Sequence, residues 1–357
     1  MHLVPVCYTD ASGGAERYLK LLYPRLHAVG HDVHLVGTVP GWEDTGLPST
    51  RVAFGPKWDA HTIMTGVPRL PAERRAVERV VGRMPVDVFH AQFKREQIGL
   101  TDLLRRHAPV VWTEHGRFPD GRKGRAVAVG YRRAARNVAA IVCVSEAVAE
   151  NVRGIVGAKV RIEVVHNAID TQAVHVTTAQ ERSAARVALG LPDTDVKVLA
   201  WVGRLSPGKL PLLAAETGRR FSGVTVIAGD GQLASELRAR ADEARVRYLG
   251  FQPDPSCVYR AADALLFTSD GSGEGMPYTL LEAAAHGLPI VANAGSGLTA
   301  LVEAAGGRVV ADDPAALAAA AEVAANDSSD RARAWALAND LDPWSRRHAD
   351  IMVSVTG

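Results

Sequence analysis

Short runs of apolar, often β-branched residues recur along this chain, separated by longer stretches in which apolar positions return every three or four residues. The runs at 3–8, 33–36, 86–89, 110–112, 141–144 and 161–165 are largely apolar on both faces, as buried strands of a parallel sheet are. The stretches between them, such as 72–84 and 124–140, are rich in Ala and Arg and read as helices. A first helix is expected after residue 16, with Tyr18, Leu19, Leu22, Leu26 and Val29 on one face. Residues 171–187 are polar and mixed, an interdomain linker leading into a helix. The rhythm then restarts at 196–202, 224–228, 246–249, 264–267, 289–292 and 308–311. A last helix is predicted at 344–355, with Trp344, His348, Ile351 and Val355 at helical spacing and Trp344 in the core. Strand and helix in alternation predict an α/β protein with two doubly wound parallel sheets.

Length agrees, since 357 residues exceed one ordinary core and suit two domains of roughly 150–180 residues. The division expected is 1–175, joined by the helix 343–357, and 176–342. A chain 47% apolar and 22% charged has the balance of a water-soluble globular protein. Cys7, Cys143 and Cys257 show no metal-ligand spacing, and two of them fall in apolar runs, which predicts a reduced, cytoplasmic protein. The N-terminus MHLVPVCYTD lacks a basic leader, and no uncharged apolar run reaches the ~18–20 residues that span a bilayer, so neither secretion nor membrane insertion is expected. Residues 57–136 hold 17 Lys/Arg against 8 Asp/Glu, a local +9 in a chain of net +2. That excess fits either an anionic partner, an acidic lipid surface included, or a solvated basic face. An Ala- and Arg-rich composition suits a high-GC bacterium.

Candidate chemistry gathers at strand ends, where open α/β sheets place their ligands. The stretch 269–289, SDGSGEGMPYTLLEAAAHGLP, runs from a strand through a Gly-rich loop into a helix. Glycines let backbone approach a ligand, and a helix N-terminus offers free N–H groups to an anion or a hydroxyl-rich group. Glu274 lies in that loop and Glu282 one turn into the helix, seven residues between them. After another strand, Gly203-Arg204-Leu-Ser-Pro-Gly-Lys209 places two cations where they can flank a diphosphate or lie solvated. Gly13-Gly14 forms a strand-to-helix turn, Gly229-Asp-Gly231 another, and Tyr248-Leu249-Gly250-Phe251 a strand end. His90, His115 and the segment His166-Asn167 follow apolar runs of the first half. No Asp-x-Asp metal motif competes, because Asp193-Thr-Asp195 precedes a strand and reads as a turn.

The block EGMPYTLLEAAAHGLPIVA resembles the E-x7-E signature of glycosyltransferase family 4 (glycosyl transferases group 1), retaining enzymes of the GT-B fold. Gly203, Arg204 and Lys209, the Gly13-Gly14 pair, and Thr113-Glu114-His115 follow in the family's order, so the resemblance covers nearly the whole chain. It implies two Rossmann-like domains facing across a cleft, with a C-terminal helix crossing back to the first. It further implies transfer of a sugar from a nucleotide sugar, commonly UDP-linked, to a hydroxyl. The donor-binding set carried over is Gly14, Gly203, Arg204, Lys209, Gly229, Leu249, Gly250, Phe251, Glu274, Gly275, Met276, Pro277 and Glu282. Arg204 and Lys209 would stabilise the leaving diphosphate, Glu274 and His115 would contact the donor sugar, and Glu282 the ribose. Of these five, Glu274, His115, Arg204 and Lys209 form the catalytic set that the resemblance implies. Gly13, His90 and Asn167 are expected on the acceptor side.

One departure is that Gly208 and Leu210-Pro211 stand where the family often has Glu and Gly, so the lysine loop is expected to differ in shape. The resemblance implies neither a metal nor another cofactor, the nucleotide sugar being a co-substrate. It leaves open a sugar, small-molecule or lipid-linked acceptor, and a monomer or homodimer without a nucleic-acid partner. Alternatives are a nucleotide-sugar 2-epimerase of the same fold, a glycoside hydrolase, which would leave the two cations unexplained, and a non-catalytic sugar-nucleotide-binding protein.

Overall fold

The apolar runs become the strands of two parallel sheets. A computed structural model describes every residue except 12, 53, 56–65, 119–120, 192–195, 243 and 329, and of 121–123 the backbone alone. Asp193 and Asp195, read above as part of a turn, lie outside the described residues, as does much of the loop after residue 54. The chain forms two units, Met1–Asn167 with Leu341–Gly357, and Ala168–Asp340.

The first unit contains β1 (His2–Tyr8), β2 (Asp32–Val33), β3 (Leu35–Thr38), β4 (Ser49–Thr50), β5 (Val88–Ala91), β6 (Val110–Glu114), β7 (Ala140–Cys143) and β8 (Ile162–Val164). They run in the order β4-β3-β1-β5-β6-β7-β8, with β2 also beside β1, all pairs parallel. Every residue of β5, β6 and β7 is buried, which is why these strands show no polar alternation. The second unit contains β9 (Val198–Val202), β10 (Val224–Ala228), β11 (Val246–Gly250), β12 (Ala264–Phe267), β13 (Ile290–Asn293) and β14 (Arg308–Val310). Their order is β11-β10-β9-β12-β13-β14, again parallel throughout. Its core packs Leu199, Trp201, Phe221, Ile227, Leu266 and Val291 beneath the helices.

In each sheet the chain works outward from one strand in both directions. The order reverses between β1 and β5 in the first unit and between β9 and β12 in the second. Loops leaving those strands at their C-terminal ends flank a crevice, the natural ligand position of such sheets.

Helix limits differ from the sequence reading where a single residue decides. The helix Gly14–Ala28 buries Tyr18, Leu19, Leu22, Tyr23 and Leu26, but Val29 is 68% exposed. Val29 is the C-cap, and there the backbone leaves the helical path that would have kept it on the buried face. The helix predicted at 124–140 is Gly121–Ala134, closed by a 3-10 turn at Ala135–Asn137. The last helix, Leu341–Ser354, packs on Gly14–Ala28 and buries Trp344, His348 and Ile351. Within the second unit Ile169 pairs with Asp340, and the Ile169 N–H donates to the Asn339 carbonyl at 3.0 Å, so the unit's first and last residues lie side by side.

Candidate active site

In the second unit, β9 and β12 flank the reversal, and each ends in one of the two loops that carry charge. The loop after β9 runs through Gly203 and Arg204 into a 3-10 turn, Pro207–Lys209, and the helix Pro211–Gly218. The loop after β12 leads through Glu274 to the helix Tyr278–Ala285. Backbone and side-chain hydrogen bonds fasten the two together. The Asp270 N–H donates to the Gly208 carbonyl at 2.9 Å, and Thr268 Oγ1 lies 2.9 and 3.1 Å from the Lys209 and Leu210 carbonyls. Trp201 Nε1 donates to Thr268 Oγ1 at 2.9 Å, anchoring the junction on the core of β9. Asn293, at the end of β13, grips the Ser269 backbone twice, accepting from its N–H at 2.9 Å and donating to its carbonyl at 2.8 Å.

This junction sets the two charges. Lys209 Nζ donates to Glu274 Oε1 at 2.5 Å, and Ser269 Oγ lies 2.9 Å from the same oxygen. Glu274 is only 7% exposed, Lys209 31%, with its ammonium 5.4 Å from the centre of the Phe267 ring. Arg204, on the same loop as Lys209, is exposed and takes no side-chain partner among the described residues. Leu210, where the family often carries glycine, adopts φ +48°, left-handed backbone that costs a β-carbon-bearing residue about 1–2 kcal/mol. The loop therefore keeps the turn glycine would supply, held through the Thr268 contact.

A third and a fourth loop close on the first. Gly229 has φ +142°, and a Cβ there would sit 1.8 Å from the Gly203 carbonyl oxygen. Only glycine lets these two turns touch, and they zip together as Leu205 N–H donates to the Asp230 carbonyl at 2.9 Å. Gly229 N–H donates to the Gly250 carbonyl at 2.8 Å, while Tyr248 OH donates to the Gly229 carbonyl at 3.1 Å. Past the half-buried Leu249 and Gly250, the Phe251 ring is 69% exposed.

Gly275 and Met276 are buried, and Pro277 caps the helix Tyr278–Ala285 with extended backbone. Glu282 sits in the second turn of that helix, half-buried, and Tyr259 OH donates to its Oε2 at 2.7 Å. Tyr259 lies beneath the site on the helix Ser256–Ala261 and stacks on His286 at 5.7 Å. Burial first, then the nearby Arg260 and His175, push the His286 ring down to about 4, so it is neutral near pH 7.

In the first unit the expected residues fall around β1, β5 and β6. Gly13 is the N-cap and Gly14 the first residue of Gly14–Ala28, directly after β1, with the buried Glu16 accepting from Thr9 Oγ1 at 2.9 Å. His115 follows β6, half-buried, its ring edge-on to Tyr18 at 4.9 Å and its Nε2 bonded to Gln92 Oε1. Asn167 is buried and is the last residue of the unit before the chain leaves it.

His90 departs from the sequence reading. It lies inside β5, 2% exposed, with Nδ1 2.6 Å from Tyr23 OH and Nε2 2.8 Å from Thr113 Oγ1. Both ring nitrogens are occupied by the protein, so the residue is a member of the core rather than a group presented at a strand end. The chain of bonds continues from Thr113 to Tyr18 OH at 3.3 Å, to His348 Nε2, and from His348 Nδ1 to the Trp344 carbonyl at 2.8 Å. Burial, then His348 and His115, push His90 down to about 3, and burial pushes His348 to about 4.

Sequence reasoning missed Tyr259, Thr268, Asn293, Tyr18 and His348 as polar partners. Their signal is a hydroxyl, amide or imidazole in an otherwise apolar setting, whose partner is distant in sequence.

Residues 12–173 match Glycosyltransferase Family 4, and residues 196–327 match Glycosyl transferases group 1, together well over half of the chain. Over 154 residues the chain is 37% identical to the D-inositol 3-phosphate glycosyltransferases of Mycobacterium tuberculosis and Mycobacterium bovis, a match covering 40% of this chain and 31% of theirs. It thus spans about a third of the length of these curated relatives. In fold it is similar to Anabaena HepE in complex with UDP, with a TM-score of 0.82 at 18% identity, covering 99% of this chain and 100% of that one. Sucrose-phosphate synthase from Thermosynechococcus elongatus gives 0.79 at 17% identity, covering 99% and 98%. Two parallel α/β sheets, the loops at their points of reversal and these matches agree: the chain has the GT-B fold and belongs to glycosyltransferase family 4, the glycosyl transferases group 1.

Proposed function

We propose that this chain is a retaining glycosyltransferase that moves a sugar from a UDP-sugar to a hydroxyl of an acceptor, without a metal. The observation that carries the proposal is the junction of the β9 and β12 loops. It joins Lys209 to Glu274 at 2.5 Å and leaves Arg204 exposed on the same loop. One loop carries two cations for a diphosphate, and the carboxylate bonded to the second of them belongs beside the sugar. As the bond from the anomeric carbon to the diphosphate oxygen breaks, negative charge grows on that oxygen, and Arg204 and Lys209 stabilise it from fixed positions. The acceptor oxygen attacks from the same face, and its proton passes to the departing phosphate oxygen, which preserves the anomeric configuration. Glu274 orients the donor sugar, Glu282 accepts from the ribose hydroxyls, and His115 contributes a contact to the sugar.

Support for the UDP donor comes from the fold match to a UDP complex, and for the acceptor from the curated relatives, whose name gives D-inositol 3-phosphate. The test is incubation of the chain with labelled UDP-sugars, alone and with D-inositol 3-phosphate or cell extract, in excess chelator. Acceptor-dependent product of unchanged anomeric configuration is the expected result. Conversion of the donor without acceptor indicates the epimerase instead. Activity lost in chelator and restored by Mg²⁺ or Mn²⁺ overturns the metal-independent diphosphate site.

A further inference from the structure

We infer that Tyr259 is a positioning residue for nucleotide recognition, holding the Glu282 carboxylate in the orientation that receives the ribose. The inference rests on the assignment of Glu282 to the ribose made above and extends it to a side chain that never meets the ligand.

Four observations carry it. Tyr259 is buried, yet its hydroxyl donates to Glu282 Oε2 at 2.7 Å, tying the helix Ser256–Ala261 to the helix Tyr278–Ala285. The ring is held independently of that bond, lying nearly parallel to His286, 25° between planes. His286 is one helical turn beyond Glu282, and its backbone N–H donates to the Glu282 carbonyl at 3.1 Å. The imidazole is fixed in turn, with Nδ1 3.3 Å from Thr177 Oγ1 and its carbonyl accepting from the Thr177 N–H at 3.2 Å. Tyr259 thus spans one face of the helix, its ring on residue 286 and its hydroxyl on residue 282. A glutamate has three rotatable bonds, and an orientation fixed beforehand spares the ligand the work of ordering it. The His286 ring, neutral near pH 7 because of its burial, supplies an uncharged surface for the stack.

The experiment is calorimetry with UDP and 2′-deoxy-UDP on the full chain and on Tyr259→Phe, Glu282→Ala and the double variant, with thermal melting of each. Tyr259→Phe keeps the ring and removes the hydroxyl. It is expected to weaken UDP about three- to tenfold, as loss of one hydrogen bond does, and 2′-deoxy-UDP less. In the Glu282→Ala background the same change should have no effect on UDP, because its route to the ligand is gone. With a turnover assay, donor KM should rise and kcat stay within twofold.

Equal weakening in both backgrounds, or UDP binding unchanged by Tyr259→Phe, overturns the inference while leaving Glu282 in its role. Glu282→Ala that binds UDP as the unmodified chain does, or an unmodified chain that does not bind UDP, overturns the ribose assignment and the inference with it. If Tyr259→Phe does not fold, Tyr259→Met, which fills the space of the ring with a flexible side chain that has no donor, is measured in the same cycle and judged by the same outcomes.

Discussion

The two units share a scaffold and use its functional edge in opposite ways. In both, a strand beside the first one carries or leads to a glycine of positive φ that lets two backbones touch. Gly37 at φ +133° meets the Cys7 carbonyl on β1, and Gly229 at φ +142° meets the Gly203 carbonyl after β9. Beyond that point they diverge. In the first unit the polar groups bond to one another, Tyr23 to His90 to Thr113 to Tyr18 to His348, and Lys94 to Glu114 beneath the Phe118 and Tyr131 rings. In the second unit glycine turns and the side chains of Thr268, Ser269 and Asn293 pack the loops against one another, and on those loops Lys209 pairs with Glu274 while Arg204 is exposed. A satisfied buried network rigidifies a core, whereas charges on glycine-fastened loops can meet a ligand.

The largest effect that tests this contrast is expected at Lys209. Lys209→Ala should lower kcat/KM roughly 10²–10³-fold, about 3–4 kcal/mol, because charge on the leaving diphosphate loses its partner. A change under threefold would make the second unit's charges as inert as the first unit's network. Next is Gly229→Ala, which places a methyl carbon 1.8 Å from the Gly203 oxygen on backbone that disfavours any side chain. A loss of about 3 kcal/mol or more of unfolding free energy is expected in denaturant melts. Gly46→Ala in the first unit, where φ is +71° but nothing lies within 4 Å of the added carbon, should cost about 1 kcal/mol. Equal losses would remove the loop-packing argument.

Under the proposed function the two glutamates divide the donor site. Glu282→Ala should weaken UDP by about 1.5–3 kcal/mol in calorimetry, while Glu274→Ala, which releases Lys209 from its ion pair, should leave UDP affinity equal or tighter and lower turnover of the intact donor. Weakening confined to Glu274→Ala would invert the assignment.

The first unit should reveal itself by acid. His90 and His348 hold ring pKa values of about 3 and about 4, against about 6.5 in an unfolded chain. Between those values the unfolded state binds protons that the folded state refuses, so stability falls as pH drops from about 6.5 towards 4. The slope is at most about 1.4 kcal/mol per pH unit for each ring. His348→Gln should flatten the melting temperature against pH over that window. An unchanged slope would mean that His348 does not titrate as its burial requires. The smallest effect is at Leu210. Replacement by glycine removes left-handed strain of about 1–2 kcal/mol but adds unfolded-chain freedom worth about 0.5–1 kcal/mol, so a gain of up to about 1.5 kcal/mol is expected. A loss larger than that would show that the Leu210 side chain, not its backbone, shapes the loop.

The contrast also explains what could be read from the sequence. Strands β10 and β12 fall at the residues expected, because a run buried on both faces announces itself locally. The loops of the second unit are legible by a different signal, since Gly203 and Gly229 mark turns directly after apolar runs and Arg204, Lys209 and Glu274 are charges placed just beyond them. His90 was misjudged because an imidazole inside a buried strand looks like the end of that strand until Tyr23, 67 residues away, is seen to hold it. Tyr259 was passed over because a tyrosine at a helical position is ordinarily core, and its bond to Glu282 crosses 23 residues. Val29 shows the limit of periodicity, which places a residue on a face without saying where the helix stops.

The route of the chain through the two units has a consequence for how the protein is made. The second unit is one uninterrupted run, Ala168–Asp340, whereas the first needs Leu341–Gly357 as well. Tyr18, near the start, stays without its His348 and Trp344 partners until that last helix has been synthesised. Translation builds the first unit's sheet before the second unit's, yet the later of the two units has all its parts first. A nascent chain stalled before residue 341 should therefore carry a finished second unit and a first unit whose sheet still lacks its last helix, the reverse of the order in which their sequences emerge.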